Sequence, residues 1–394
     1  MIVVFRELSG ATAFQVVRIV TPLIIFPALV HTYGIIEFGV FTFLIGWIGL
    51  HVVFVEFGSN LHGMRNFTSA ENQHKKVLIV TCTTIVRSVL ALITLLLSLL
   101  VAPDQFILIL LSSVSVILQQ NYIFQSSNKF GPLIIGFLTS RLIFFMLLIS
   151  ECFVTGRDLA IVFVACNVLG ALTLHLADRI KILRFLKKVS INDVVLTAQE
   201  LTRFFLSGLS TSLNTSGVLA ICGLFLHPEL IGKLALIDKA RSSAIAASYP
   251  INQLFMRRWY KKSPDVSIRA TSLIYLFVGI FQIILFMMML SYFWWQDWEY
   301  LFDKNILIYF PFIFLIINVG YVYGTLGLLS KGHEKLYLRN TLIGSGFLLI
   351  FILTLFSGYF SGVDQLYFIV FAMFTTELLI SCLMAYEYRK ALNY

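Results

Sequence analysis

With 59% hydrophobic residues, only 12% charged residues and a mean hydropathy of +0.90, this 394-residue chain falls outside the water-soluble globular class. Soluble domains carry roughly a quarter charged residues. The net charge of +9 would point to nucleic acid in a soluble protein, but here it is read through membrane topology, and no nucleic-acid partner is expected.

The apolar runs are about 20 residues long and continuous rather than short and alternating, which predicts helices and not a transmembrane barrel. About twelve spans follow in chain order, over 7–30, 38–57, 77–101, 106–124, 133–153, 159–177, 204–226, 231–255, 270–293, 306–329, 338–359 and 363–386. Pro22 and Pro27 lie inside the first and predict a bent helix, because proline removes a backbone donor. The connector 178–203 is the longest and is basic. It divides the chain into two six-span halves, 1–190 and 191–394, the plan of an internal duplication. No charged leader with a short apolar core and a cleavage site opens the chain, so no removable signal peptide is expected.

The loops orient the spans. With both termini inside, nearly all loop Lys and Arg fall on the cytoplasmic side, and the outer loops keep only Arg157, Lys233 and Lys304. Positively charged loops stay in the cytoplasm, where anionic lipid headgroups are their partners. Trp294, Trp295, Trp298 and Tyr300 cluster in the outer loop after the ninth span, as an interfacial aromatic belt does.

Five cations remain inside spans: Arg18, Arg87, Arg141, Lys239 and Arg241. The first three lie about ten to twelve residues into spans 1, 3 and 5, a depth of ~15 Å and close to the midplane. A charge there costs about 2.5 kcal/mol or more even on lenient scales, so it faces an aqueous cavity or finds a private partner. Few acids share that depth; Glu37, Glu56 and Glu151 sit nearer span ends. The five are therefore read as candidate substrate-binding residues of a cavity for an anion. The competing reading is an ion pair or a contact with helix-end carbonyls.

Three further residues are candidates for supporting or coupling roles. Asp238 and Arg241 are three apart on one helical face and can pair. Glu377, in the middle of the last span, is either a coupling site or the partner of a base. Asn214 belongs to an unusually polar stretch with Ser207, Ser210, Thr211, Ser212, Thr215 and Ser216, which suits close helix packing and a wet lining equally. The run Gln119-Gln120-Asn121 reads as a solvated helix end.

No GxxxxGK[ST] loop, HExxH pair or nucleophile elbow occurs, and the seven histidines are dispersed. The five cysteines, Cys82, Cys152, Cys166, Cys222 and Cys382, include no CxxC pair. Neither an enzyme, a metal site nor a cofactor is indicated.

Four stretches carry a family resemblance: Tyr33-Gly34-Ile35-Ile36-Glu37-Phe38-Gly39; Glu56-Phe57-Gly58 followed by Arg65; Ile231 to Arg241 followed by Tyr249 to Arg258; and Leu328-Leu329-Ser330-Lys331-Gly332-His333. With these the chain resembles the polysaccharide transporters of the multidrug/oligosaccharidyl-lipid/polysaccharide exporter superfamily, in particular the O-antigen (Wzx-type) flippases. One departure is Phe255-Met256-Arg257-Arg258, where that family often has a proline before the arginine. The resemblance implies a MATE-like fold of two six-helix lobes around a central cavity, in the bacterial inner membrane. It implies alternating-access transport of undecaprenyl-pyrophosphate-linked oligosaccharide, coupled to H+ or Na+ or to downstream consumption, with a polysaccharide polymerase and a chain-length regulator as partners. Arg18, Lys239 and Arg241 would lie on cavity-lining helices. The rival readings are a small-molecule or drug antiporter of the same superfamily, disfavoured by the excess of buried bases, and a glycan polymerase or ligase, disfavoured by the lack of a large outer loop.

Overall fold

The computed structural model describes residues 2–70, 72–127, 129–150, 152–177, 189–246, 252, 268–295, 310–329, 333–354 and 363–392. Glu151, Trp298, Tyr300, most of the 249–258 stretch, residues 330–332 and the 178–188 part of the connector lie outside the described residues, as do the side chains of Trp294 and Trp295. Among the described residues the chain is helical throughout, with no strand.

The first element, α1 (Ile2–Glu56), is 55 residues long. A straight helix of that length would measure ~80 Å against a hydrocarbon layer of ~30 Å. It is instead two arms, 2–33 and 35–56, broken at Gly34, whose φ of 80° and ψ of 166° are non-helical. A positive φ is open to glycine at little cost. Pro22 and Pro27 lie inside the first arm, yet the break falls at Gly34 and not at either proline. The helices that follow are α2 (Ser59–Ser69), α3 (Gln73–Val101), α4 (Phe106–Leu118), α5 (Asn121–Ser126), α6 (Phe130–Ile149), α7 (Gly156–Ala177) and α8 (Ile191–Ser212). A π-helical segment, Leu213–Gly217, joins α8 to α9 (Val218–Cys222). The remainder is α10 (Pro228–Ala246), α11 (Ile268–Trp295), α12 (Phe310–Gly320) continuing as a π segment (Tyr321–Leu329), α13 (Glu334–Thr354) and α14 (Val363–Leu392).

Ten helices among the described residues are long and apolar enough to cross a membrane. Two of the expected spans form the two arms of the kinked α1, and the expected span 231–255 falls partly outside the described residues, its described part α10 carrying Glu229, Lys233, Asp238, Lys239 and Arg241 within 19 residues. This is a multi-pass, all-helical membrane protein.

Two compact units divide the chain, Met1–Ala220 and Ile221–Tyr394. α8 packs on α1, α2 and α3 and belongs to the first unit by its contacts. Phe57 stacks on Phe205 with ring centres 4.5 Å apart. Beside them Gly58, at φ 72°, leaves so little room that a Cβ would stand 2.5 Å from the Phe205 nitrogen.

Phenylalanines fill the first unit. Phe41 stacks on Phe144 at 6.3 Å and meets Phe163 edge-on at 5.5 Å. In the second unit Phe286 meets Phe314 edge-on at 5.4 Å, and Ser381 of α14 donates to the Ile316 carbonyl of α12 at 2.8 Å.

Candidate functional site

Within the first unit α6 and α7 pack closely. A Cβ on Gly170 would stand 2.4 Å from the Gly136 carbonyl oxygen, so only small residues permit this approach. One turn farther along, Ser140 Oγ donates to Asn167 Oδ1 at 2.9 Å. Arg141 follows directly and projects beside a cavity of about 190 Å³. Its polar wall comes from Ser112 and Ser115 of α4, Asn121 of α5, Ser140 and Arg141 of α6, and Asn167 of α7; Phe14 and Phe137 supply part of the apolar wall. No Asp or Glu lines it among the described residues.

Arg141 is held by aromatic rings. Its guanidinium carbon lies 4.1 Å from the Phe163 ring centre and 4.9 Å from that of Phe137, within the range of cation–π attraction. Nη1 is buried and has no hydrogen-bond partner. An unsatisfied, buried donor on a cation is costly, and an anion or a bound water at the cavity would relieve it. Arg18, exposed on the first arm of α1, sits 5.8 Å over Phe14. Of the predicted cations Arg141 lines the cavity, with no acid among the lining residues, whereas Arg18 meets one wall residue, Phe14, and is not itself in the wall.

Arg87 is not in that wall either. It is 1% exposed, and two of its three nitrogens donate hydrogen bonds to neighbouring helices. Nε donates to Ser59 Oγ at 2.7 Å, and Nη1 donates to the carbonyls of Val116 at 2.8 Å and Gln119 at 2.9 Å. Nη2 lies 3.8 Å from Glu56. Those carbonyls end α4, where helix geometry leaves acceptors without partners and the dipole favours a cation. Arg87, read from the sequence as a cavity cation, thus stands at a helix end, and its Nη2 is buried without a hydrogen-bond partner.

In the second unit Arg241 donates to Asp238 Oδ1 from Nη2 at 2.7 Å and from Nε at 3.2 Å, as the three-residue spacing predicts. Glu377 of α14 stands 3.8 Å from Arg241 Nη1, in the partner position for that base. Lys239 is half-buried on another side of α10. Asn214 lies in the π-helical segment, its Oδ1 buried without a hydrogen-bond partner, and π segments recur at functional sites. Ser216 packs so close to the second arm of α1 that a Cβ on Gly49 would stand 2.7 Å from it, so this part of the polar stretch serves helix packing.

Sequence reasoning missed Ser112, Ser115, Ser140 and Asn167. The signal for Asn167 was present, as a lone amide amid the apolar run of α7. Asn121, read as solvated, instead lines the cavity and keeps a buried Oδ1 without a partner. Its neighbour Gln120 is also buried and donates to Thr84 Oγ1 at 2.7 Å.

No protein-family model matches the chain, and no curated protein does. Solved structures do. A MATE crystal structure in the straight conformation aligns over 99% of this chain and 94% of its own, at 12% identity and a TM-score of 0.55. The fold is that of the MATE transporters. An outward-facing multidrug resistance MATE family transporter of the MOP superfamily aligns over 99% of this chain and 95% of its own, also at 12% identity and TM-score 0.55. A MOP superfamily transporter from Pyrococcus furiosus aligns over the same shares, at 12% identity and TM-score 0.51; its description reports a binding pocket of reversed polarity and a different function. These neighbours are transporters and not enzymes, and at such identities the likeness is one of fold.

Proposed function

We propose that this protein is a flippase that carries undecaprenyl-pyrophosphate-linked oligosaccharide, an O-antigen repeat unit, across the bacterial inner membrane by alternating access. The observation that carries the reading is Arg141 at a cavity that no acid lines among the described residues, with its buried Nη1 left without a hydrogen-bond partner. A cationic pocket of that sign suits a phosphate-bearing headgroup and repels a cationic drug. The lipid tail stays in the bilayer while the headgroup crosses. In this reading both termini are cytoplasmic, the basic loops meet anionic lipids, and a polysaccharide polymerase with a chain-length regulator takes up the product.

A second reading, ion-coupled antiport of small molecules, draws on the MATE fold and on Asp238 and Glu377, the buried carboxylates that coupling to H+ or Na+ would use.

The test is a deletion of the gene complemented with wild type, Arg18→Ala, Arg141→Ala, Lys239→Ala or Arg241→Ala, scored by surface polysaccharide with membrane abundance measured alongside. Loss of surface glycan in the deletion, and in Arg141→Ala at normal abundance, is expected. Full glycan from the empty deletion would remove the flippase reading, and drug sensitivity without a glycan defect would favour antiport.

A further inference from the structure

We infer that a cleft between α11 and α12 is a binding site for one acyl chain of a bilayer phospholipid. The site is independent of the cargo and lies wholly within the second unit.

Three contacts lock the two helices together on one side of the cleft. Phe286 meets Phe314 edge-on at 5.4 Å, and Asn318 Nδ2 donates to Gln282 Oε1 at 2.8 Å. A Cβ on Gly279 would stand 2.7 Å from Leu315 Cδ2, so the helices touch there. Beside this junction α12 passes at Tyr321 into its π segment, whose i→i+5 hydrogen bonds make a wider turn than the α-helix. Tyr275 stacks on Tyr321 at 5.5 Å. The cavity left between the helices holds about 530 Å³. That falls within the range of about 300–1,000 Å³ that ligand sites occupy.

Its chemistry selects hydrocarbon. Leu273 and Leu276 of α11 face Leu315, Val319 and Val322 of α12 and its π continuation across the cleft. Two polar side chains of the lining are spent inside the unit: Tyr275 donates from its hydroxyl to Asn252 Oδ1 at 2.6 Å, and Asn318 donates to Gln282. A polar ligand gains little from such walls. Left empty, the cleft forfeits dispersion contacts along its lining, and water does not settle in an apolar cavity.

Position selects the source of the hydrocarbon. Leu273, Leu276 and Val319 are exposed, although each lies in a helix able to span the membrane. On α11 they continue into exposed Phe277, Ile280 and Ile284, at the three- and four-residue spacing of one helical face. A continuous apolar face on a spanning helix is the face that lipid covers, because lipid tails are as apolar as leucine. Leu273 and Leu276 stand three and six residues into the span that starts at Ala270, roughly 5–9 Å deep at 1.5 Å per residue. The first methylenes of an acyl chain lie at that level when its headgroup stays at the interface. Phospholipid is also present at the full concentration of the bilayer, so weak affinity suffices for occupancy.

The experiment uses the full-length protein in detergent, titrated with phosphatidylcholine that carries a diazirine on one acyl chain, then photolysed and mapped by peptide mass spectrometry. Labelling within 272–276 and 315–323 is expected to saturate and to be displaced by unlabelled phosphatidylcholine. Labelling along 280–288, the open lipid-facing stripe, is expected to rise in proportion to the probe. Val319→Trp sets a ring across the cleft and is expected to cut the saturable labelling by about fivefold or more, with 280–288 unchanged. Leu276→Trp, on the opposite wall, is read in the same way should Val319→Trp fail to accumulate.

No labelling at the cleft, labelling there that rises only in proportion to the probe, or saturable labelling untouched by the tryptophan variant would overturn the site. Displacement by undecaprenyl phosphate but not by unlabelled phosphatidylcholine would assign the cleft to a polyprenyl chain and overturn the phospholipid source.

Discussion

Arg87 and Gln119 meet at 2.9 Å, the guanidinium Nη1 donating to the backbone carbonyl that follows the last residue of α4. This bond, with those to Val116 and Ser59, ties α3, α4 and α2 into one corner of the first unit. Arg87→Lys cannot reach all three acceptors and is expected to cost about 2 kcal/mol; Arg87→Met, which also strands the carbonyls, about 4 kcal/mol. Thermal unfolding in detergent checks the order. Any transport defect should follow the loss of protein, and a defect at full abundance and stability would return Arg87 to the cavity.

Backbone crowding at Gly58 gives a second expectation. Its φ is 72°, and an added Cβ would stand 2.5 Å from Phe205 N and 2.6 Å from the Phe204 carbonyl carbon. Gly58→Ala combines left-handed strain of about 1 kcal/mol with displacement of α8, so a loss above about 2 kcal/mol is expected. Gly131→Ala, on α6 with nothing within 4 Å, serves as the control and should be neutral or stabilising by up to about 1 kcal/mol. Equal melting shifts in the two variants would contradict the close crossing.

Within the second unit the buried cluster of Arg241, Asp238 and Glu377 is unequal in its parts. Asp238 takes two hydrogen bonds from Arg241, whereas Glu377 stands at 3.8 Å. Arg241→Ala strands two carboxylates and is expected to cost about 3–5 kcal/mol. Glu377→Gln keeps the Asp238 pair and should cost about 1 kcal/mol or less. Chemical or thermal unfolding of both variants reads the difference; a larger loss from Glu377→Gln would make Glu377 the principal partner of Arg241.

Thiol reactivity reports the topology. Cys152 is exposed just past the end of α6 and Cys382 is exposed within the membrane-spanning α14, while Cys82, Cys166 and Cys222 are buried. With cytoplasmic termini, Cys152 lies on the outer side, so a membrane-impermeant maleimide added to intact cells should label wild type and leave Cys152→Ser unlabelled. Labelling of Cys152 only after lysis would invert the orientation.

The sequence alone determined the class, the helical character and the identity of the costly cations, because a bilayer core forces long apolar runs and makes each interruption by Arg or Lys conspicuous. The Asp238–Arg241 pair was equally legible, since it depends only on helix periodicity within one element. What the tertiary structure decided was which cation faces what. Arg87 and Arg141 look alike in sequence, each about ten residues into an apolar run. Only the packing of α3 against the end of α4 gives Arg87 its carbonyls, and only the Gly136–Gly170 contact sets Arg141 beside Ser140, Asn167 and a cavity. Those partners come from other helices, and the relative position of helices is set by close packing of many side chains, which no single stretch of sequence records. The break at Gly34 in place of the prolines has the same origin. Proline limits one residue's backbone and removes one donor, and a membrane helix absorbs that, whereas a positive φ reverses the chain direction locally and ends the helical run.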